Sequence, residues 1–411
     1  MLHVSKFWLL AAAMLLLATP AVQAADENAK KAATSVAEAD ADYPFVGEYD
    51  GEITIGRQGT FKIGVQVVAL GNGKFQATEF PGGLPGAGWN GHGRVMMLGE
   101  RQGSTVHLEG YPLELKVDAN GFASVQFAGG REVGELQKVD RSSSSIGLEA
   151  PEDYKTTILY DGHGTEHLKG AKVHSDGNLL AGFETVNGYN NFTLHVEFMT
   201  PYMPEARGQG RGNSGVYLQS RYEVQVLDSF GLEGADNECG ALYKLKAPDT
   251  NMALPPLVWQ SYDIEFTAAE FDADGKKTAN ARLTVLHNGK KIHDNVEITR
   301  KTGGGAAEGS EALPIKFQDH GNPVLYRNVW IVDHDAKPPC RTVCFCCKRR
   351  LCCFTCCESA PPAPTLAPAM AAAAKDLCSP ACVGNHGSSC SNDSGPVYGG
   401  GYYISPGNIS Y

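Results

Sequence analysis

The residues best suited to chemistry lie in one stretch, 211–228, whose pattern predicts two β-strands joined by a tight turn. Side chains along a strand point alternately to opposite faces, so the aliphatic side chains of this stretch share a face that would pack on a core. The other face carries Tyr217, Gln219, Glu223 and Gln225. A ring for stacking, amides for hydroxyl groups and a carboxylate for proton transfer are what a sugar-binding face needs. The alternative is an ordinary solvated outer face.

Loop residues could complete the same rim. Arg211 and Asn213 come just before the first strand and would bring a guanidinium and an amide to it. Tyr243, further along the chain, could form another wall. Loops held by a rigid scaffold commonly carry binding residues, so all three are predicted to bind substrate.

Asp319 and His320 follow a predicted strand, 315–318, and form a second candidate for proton transfer. Histidine titrates near neutral pH, which suits His320 to acid or base work beside a carboxylate. The Asp-His-Gly sequence also fits a turn in which Asp319 caps backbone amides and His320 packs. Both interpretations stay open.

The elements that must position these residues are strands. Segment 191–200 alternates strictly, with His195 and Glu197 on its polar side, which we expect to be the outer, solvated side of a sheet. Other alternating segments follow, and an Asn-Gly turn signal at 288–289 predicts a hairpin. Because residues 148–334 contain no amphipathic helix of normal length, they predict an all-β sandwich of two antiparallel sheets.

Four segments precede this domain. Residues 1–24 have a positive start, the apolar run Phe7–Ala18 and small residues at the end, which predicts a secretory signal peptide and an exported protein, periplasmic, extracellular or at the cell surface. Residues 25–42 are predicted as a flexible leader, and 141–147 as a polar linker. Residues 43–140 contain strand-length runs separated by glycine-rich turns and predict a smaller antiparallel β module. No later segment has the ~20 apolar residues of a membrane span.

The C-terminal segment 335–411 changes composition abruptly. It holds 11 of the 12 cysteines, so the folded body retains only Cys239 and has no disulfide framework. We predict a disordered tail that cross-links or attaches to the cell envelope, with a soft-metal site as the alternative. The net charge of −11 argues against nucleic acid as a partner, since its binders need a basic face.

Several sequence blocks carry a resemblance. They occur in the order NFTLHVEF, RGNSGVYLQ, YEVQVLDSFG, CGALY, WQSYDIEF, QDHG and RNVWI. In this order they resemble the 3-keto-disaccharide hydrolase family over about residues 150–333. The resemblance implies a concanavalin/glucanase-like jelly roll, export, a carbohydrate substrate and cleavage of 3-keto-disaccharides or 3-keto-glycosides.

Such a substrate has an acidic proton at C2, because C2 is next to the ketone. A base can remove it, the C1 oxygen can leave by elimination, and water can add back. On this hypothesis Glu223 is the first candidate for general acid or base. Asp319 and His320 supply the second proton transfer, and Arg211 binds the enolate oxygen.

Two other functions compete with this one. An ordinary glycosidase would use paired carboxylates, but Gln225 stands where the strand pattern of such enzymes would place an acid. A non-catalytic carbohydrate-binding protein at the cell surface is the alternative outside enzymes. No cofactor or metal ligand set is indicated by motif spacing, although a divalent metal could bind.

Overall fold

The computed structural model describes residues 32–127, 129–338, 340–347 and 350–357, the last two ranges by their backbone only. The predicted signal peptide lies outside the described residues. The described secondary structure consists of β-strands and three short 3-10 helices, Val36–Glu38, Tyr43–Phe45 and Gly208–Gly210. The all-β prediction is therefore confirmed. No helix among these residues is long and apolar enough to cross a membrane.

The first module is a closed antiparallel barrel in which each strand pairs with the next and the last pairs with the first. Its interior alternates as expected: Tyr49, Val65, Phe75 and Leu115 are at most 1% exposed. The last strand contains two Glu, one Arg and one Lys among its nine residues, so its apolar alternation is weak in the sequence. The strands are β1 (Gly47–Ile55), β2 (Gly59–Gly71), β3 (Lys74–Pro81), β4 (Val95–Gln102), β5 (Thr105–Glu109), β6 (Leu113–Asp118), β7 (Phe122–Phe127) and β8 (Arg131–Val139).

The second module has two main antiparallel sheets. Its first strands are β9 (Thr156–Tyr160), β10 (Leu168–Lys169), β11 (Lys172–Val173), β12 (Leu179–Leu180), β13 (Phe183–Gly188), β14 (Phe192–Met199), β15 (Ser214–Leu218) and β16 (Tyr222–Val226). The remaining strands are β17 (Gln260–Thr267), β18 (Glu270–Phe271), β19 (Lys277–Ala279), β20 (Ala281–His287), β21 (Lys290–Ile298), β22 (Pro314–Phe317) and β23 (Leu325–Asp333).

The two sheets pack on one apolar core. The smaller has the order β10-β13-β22-β15-β16, and the larger β11-β12-β23-β14-β17-β20-β21 with β9 paired to β23; β18 and β19 form a separate ribbon. Val216 and Val224 from the smaller sheet meet Leu194, Ile264 and other side chains of the larger in one buried cluster. This is a β-sandwich, and it leaves the second face of the smaller sheet for polar side chains.

Buried contacts join the barrel to the sandwich. Tyr202 and Phe230, from loops of the sandwich, are packed into the apolar cluster of the barrel. Thr78 on the outside of β3 donates a hydrogen bond to the Gly231 carbonyl (2.9 Å). Arg94 forms an ion pair with Glu233. The sandwich loop after β16 is therefore held against the barrel wall.

The predicted flexible leader is wrong for its described part, 32–42. The Ala33 amide donates to the Tyr202 carbonyl (3.1 Å), and Tyr202 returns a hydrogen bond at 2.9 Å. Asp42 is buried and accepts from Arg101 Nε at 2.8 Å. These contacts compensate for the conformational entropy that this polar, alanine-rich segment loses when it is ordered.

The predicted linker 141–147 is also docked on the sandwich. It covers His195 and Glu197, which were expected on the solvated side of the sheet. Ser143 Oγ lies 2.6 Å from Ser261 Oγ, and the Gly147 amide donates to Glu197 at 2.6 Å. His195 and Glu197 are consequently 0% and 1% exposed, not solvated. Glu197 also accepts from Arg327 Nε (2.7 Å); although burial opposes ionisation, its hydrogen bonds lower the pKa of Glu197 to about 2.

The tail differs in part from the predicted disorder. Strands β24 (Cys340–Cys347) and β25 (Arg350–Cys357) form a two-stranded antiparallel sheet. The rest of the predicted tail, from residue 358 onward, lies outside the described residues. The proposed cross-linking role of the cysteines remains a prediction.

Candidate functional site

The β15–β16 hairpin places its polar side chains on the outer face of the smaller sheet. Tyr217 stands directly opposite Glu223, and Gly215 opposite Gln225. The neighbouring strand β22 adds Lys316 opposite Tyr217. Three side chains thus form one row across three strands, Lys316, Tyr217 and Glu223, as the period-2 pattern of the hairpin requires.

Glu223 is the centre of the row. Its Oε2 accepts a hydrogen bond from the Tyr217 hydroxyl at 2.8 Å. Its carboxylate lies over Gly215, where a Cβ atom would come within 2.3 Å of Oε1. The absence of a side chain at Gly215 therefore makes the space that the carboxylate occupies.

Burial sets the ionisation of Glu223, which is 3% exposed. Desolvation raises its pKa to about 7, although the Tyr217 hydrogen bond and the positive charge of Lys316 act in the opposite direction. Both protonation states are therefore populated at neutral pH, which is the condition for efficient general acid or base catalysis. Burial likewise raises the pKa of Tyr217, so its hydroxyl keeps its proton and donates it.

A chain of amides extends from Glu223. With the Gln225 amide oriented to satisfy its hydrogen bonds, Nε2 donates to Glu223 Oε1 (3.1 Å) and to the Ser214 carbonyl (2.8 Å), and the amide oxygen faces the Gln209 side chain at 2.9 Å. Asn213 Nδ2 donates to the Gln209 carbonyl (2.7 Å). Asn213 Oδ1 is buried without a hydrogen-bond partner among the described residues. The structure thus brings together the predicted Asn213, Gln225 and Glu223 through Gln209, which no sequence signal indicated.

The other end of the row reaches solvent. Lys316 is exposed, and its Nζ lies 5.8 Å from the centre of the Tyr217 ring. Gln318 is half-buried, and its Nε2 approaches the Tyr217 hydroxyl at 3.4 Å. Sequence reasoning missed both residues, although alternation in the segment 315–318 puts them on one face. What was missing was that β22 pairs with β15.

Two loops border the row. Tyr243, predicted as a wall, donates its backbone N–H to the Glu223 carbonyl (3.0 Å), and its half-buried ring is the nearest neighbour of Gly303. The Gly303 carbonyl is 3.3 Å from the Tyr217 hydroxyl. A Cβ on Gly304, whose φ is +72°, would lie 3.1 Å from the same oxygen. Glycine therefore lets this loop approach the row closely.

Arg211 has a different place from the one predicted. Its Nε donates to Asp228 Oδ2 at 2.7 Å, and its Nη1 donates to the barrel carbonyl of Ala69 at 3.2 Å. The Asp228 amide in turn donates to the Arg211 carbonyl (3.2 Å), because the two residues flank the hairpin. Arg211 is thus a buried ion-pair partner at the junction with the barrel, which corrects the enolate-binding and sugar-binding roles predicted for it.

Gln219 also leaves the predicted face, because it is in the hairpin turn. Gln219 and Ser220 both have φ of 50°, the left-handed backbone that tight hairpin turns require. The Gln219 Nε2 donates to Asn190 Oδ1 (2.7 Å), and its Oε1 accepts from Arg221 (3.2 Å). Gln219 therefore stabilises the turn, which corrects its predicted role in binding sugar.

The Asp319–His320 pair lies in the loop after β22, and both side chains are exposed. Asp319 Oδ1 accepts the Gly321 amide at 2.8 Å, the capping arrangement of a turn. Among the described residues, no hydrogen bond links either side chain to Glu223 or Tyr217. Their catalytic role stays a prediction.

The comparisons with known proteins concern this module. Residues 152–332 match the family described as the 3-keto-alpha-glucoside-1,2-lyase-like domain. The sandwich belongs to this family. The resemblance inferred from the sequence blocks is thereby confirmed, and the family supports a hydrolase-like function directed at carbohydrates.

Solved structures and curated proteins add the following. Two crystal structures of candidate glycosyl hydrolases from Parabacteroides distasonis are similar to the chain. One is 30% identical, with a TM-score of 0.41, and the match covers 44% of this chain and 84% of that one. The other is 22% identical, with a TM-score of 0.32, and the match covers 44% and 94%. No curated protein matches the chain.

No set of three or more His, Cys, Asp or Glu side chains among the described residues is arranged to hold a metal ion.

Proposed function

We propose that the sandwich cleaves the glycosidic bond of a 3-keto-disaccharide or 3-keto-glycoside by elimination followed by hydration. The observation that carries the proposal is Glu223: a single buried carboxylate with a pKa of about 7, held by Tyr217 and Gln225 on a polar sheet face. The family of the sandwich supports the same reaction class.

In the first step Glu223 takes the proton from C2, and the electrons of the C2–H bond move onto the ketone oxygen as an enolate. The enolate then collapses, and its electrons form a C1=C2 double bond. The C1–O bond breaks, and the leaving oxygen takes a proton. In the second step water adds its oxygen to C1, and C2 regains a proton. The products are the 3-keto sugar and the free alcohol, so the sum is hydrolysis without any redox change.

Each residue of the row has a role in this scheme. Tyr217 fixes the Glu223 carboxylate by its 2.8 Å hydrogen bond. Lys316 supplies the positive charge near the developing enolate oxygen, the role first predicted for Arg211. Asp319 or His320 protonates the leaving oxygen. The buried Oδ1 of Asn213 accepts from a sugar hydroxyl.

The wider setting is part of the proposal. The protein is exported, as the N-terminal sequence predicts, and its sandwich has the jelly-roll connectivity that the resemblance implies. The cysteine-rich tail attaches it to the envelope or to other molecules. Export is inferred from the composition of residues 1–24, and the attachment role of the tail from its cysteine content.

The test is turnover by the purified protein. A 3-keto-disaccharide and its unoxidised parent are assayed in parallel, with and without a chelator, in D2O so that deuterium entering C2 is detected by mass. Wild type is compared with Glu223→Gln and with the matched exposed control Glu265→Gln. We expect cleavage of the keto substrate only, deuterium at C2, and a loss of about 10²- to 10⁴-fold in Glu223→Gln.

Two outcomes would sink the proposal. Equal cleavage of both sugars would indicate an ordinary glycosidase. Saturable binding of either sugar without turnover, unchanged in Glu223→Gln, would indicate the non-catalytic carbohydrate-binding protein. Loss of turnover on chelation would keep the elimination and add a divalent metal to it.

A further inference from the structure

The barrel has an open mouth with an inward-facing carboxylate. Along β3 the interior positions are Phe75, Ala77 and Glu79, which are 0%, 0% and 5% exposed. Beside Glu79 lies a cavity of about 470 Å³ at the barrel end. Its walls are mainly apolar and include Ile53, Ile55, Phe61, Ile63, Pro112 and Leu113.

The Glu79 carboxylate has no hydrogen bond or ion pair to any described residue. Lys62 borders the same cavity, but its Nζ pairs with Asp50 at 3.0 Å. Burial alone raises the pKa of Glu79. An uncompensated carboxylate in apolar surroundings is costly, and nothing in the packing of the barrel requires one.

We propose that the barrel mouth is a second binding site, for a small apolar molecule that carries a protonated amine. The apolar walls take its hydrocarbon part, and Glu79 receives the ammonium group. An eight-stranded barrel is wide enough to hold one small ligand, and the cavity lies in the size range of small-molecule sites. The amine follows from charge complementarity, because an ammonium group would neutralise the Glu79 carboxylate.

This site is independent of the proposed hydrolysis. It lies in the barrel, whereas the row of Glu223 lies on the sandwich, and no step of the elimination uses Glu79. Amine binding at the barrel can therefore be absent while the sandwich still cleaves its substrate, and cleavage can be absent while the barrel still binds the amine.

The test uses three probes of one chain length, hexylamine, hexanol and hexanoate, titrated calorimetrically into the full protein at pH 8. We expect the amine to bind at least about tenfold more tightly than the alcohol, because its ammonium group forms a charge-assisted hydrogen bond with Glu79. Hexanoate should bind weakest, because its carboxylate is repelled by the negative charge of Glu79. In Glu79→Gln the advantage of the amine should disappear while the alcohol is unchanged. The exposed Glu52→Gln, on the outside of β1, is the matched control.

A second variant tests the location. Leu113→Trp fills the mouth and should abolish binding of amine and alcohol alike. The proposal is overturned if none of the probes binds, if the alcohol binds wild type as well as the amine does, if Glu79→Gln retains the preference, or if binding survives Leu113→Trp. The order of the three probes on wild type decides the question even if a variant does not fold.

Discussion

Gly215 offers a test of whether the position of the Glu223 carboxylate matters. In Gly215→Ala, the new Cβ would lie 2.3 Å from Glu223 Oε1 and 3.1 Å from its Cγ and Cδ. No chemical group of the row is removed by this substitution, and its backbone φ is not in the left-handed region. The variant therefore moves the carboxylate without deleting it.

The expected magnitude follows from that distance. Ordinary van der Waals contact begins near 3.4 Å, so Oε1 must move by about 1.1 Å. A displacement of about 1 Å at a reacting group can cost 10²-fold in rate. We expect kcat on a 3-keto-disaccharide to fall about a hundredfold, with a smaller change in KM because the sugar contacts at Lys316 and Asn213 remain.

The assay is steady-state turnover, read beside a thermal melt. Gly210→Ala is the control, since nothing lies within 4 Å of a Cβ there, and it should keep wild-type turnover. The opposite result is a Gly215→Ala variant that folds, melts within a few degrees of wild type and turns over within about threefold of it. Glu223 would then not be the group that takes the C2 proton.

Three further predictions concern charge. Folding raises the pKa of Glu223 from 4.5 to about 7, so the native state holds this proton more tightly than the unfolded chain does. The stability that the bound proton contributes is therefore fully present below pH 4.5 and is lost as the pH rises to 7. Relative to wild type, Glu223→Gln should therefore gain in stability between pH 4.5 and 7 and level off above pH 7, with a gain in the free energy of unfolding of about 3 kcal/mol at most. The Tm difference between the two proteins should rise over the same pH range, and a flat difference contradicts the burial argument. Arg211→Met should lower the free energy of unfolding by about 3 to 5 kcal/mol, because Asp228 is left buried and unpaired, yet keep turnover per folded molecule; a hundredfold loss in that turnover would restore the enolate-binding role. Lys316→Met should lower kcat about tenfold without changing Tm, with partial rescue by Lys316→Arg, and unchanged kcat would remove Lys316 from the mechanism.

The sequence predicted the hairpin face well, because period-2 alternation and a tight turn are local properties. Tyr217, Glu223 and Gln225 come together as the pattern requires. Local reasoning failed where the chain leaves the strand. Gln219 continues the alternation in sequence but has the left-handed backbone of a turn, which redirects its side chain.

Non-local contacts account for the other differences. Arg211 is next to the hairpin in sequence, but its guanidinium contacts a carbonyl of the barrel, that of Ala69, 142 residues away along the chain. His195 and Glu197 have the alternation of a solvated face, yet the linker covers them. Neither the partner of a buried charge nor the segment that covers a sheet is encoded in the periodicity of the strand itself, so these placements required the tertiary structure.

The composition of the hairpin face bears on which bond it can break. A glycosidase acting on an ordinary glycoside needs two carboxylates, one to protonate the leaving oxygen and one to attack or activate water. On the polar face of β15 and β16 only Glu223 is a carboxylate: Gln225 is an amide that donates to it, and Asp228, beyond the strand, is held by Arg211. A substrate whose ketone already makes the C2 proton acidic needs only one base there. The single carboxylate therefore fits elimination from a 3-keto-glycoside better than direct displacement at C1.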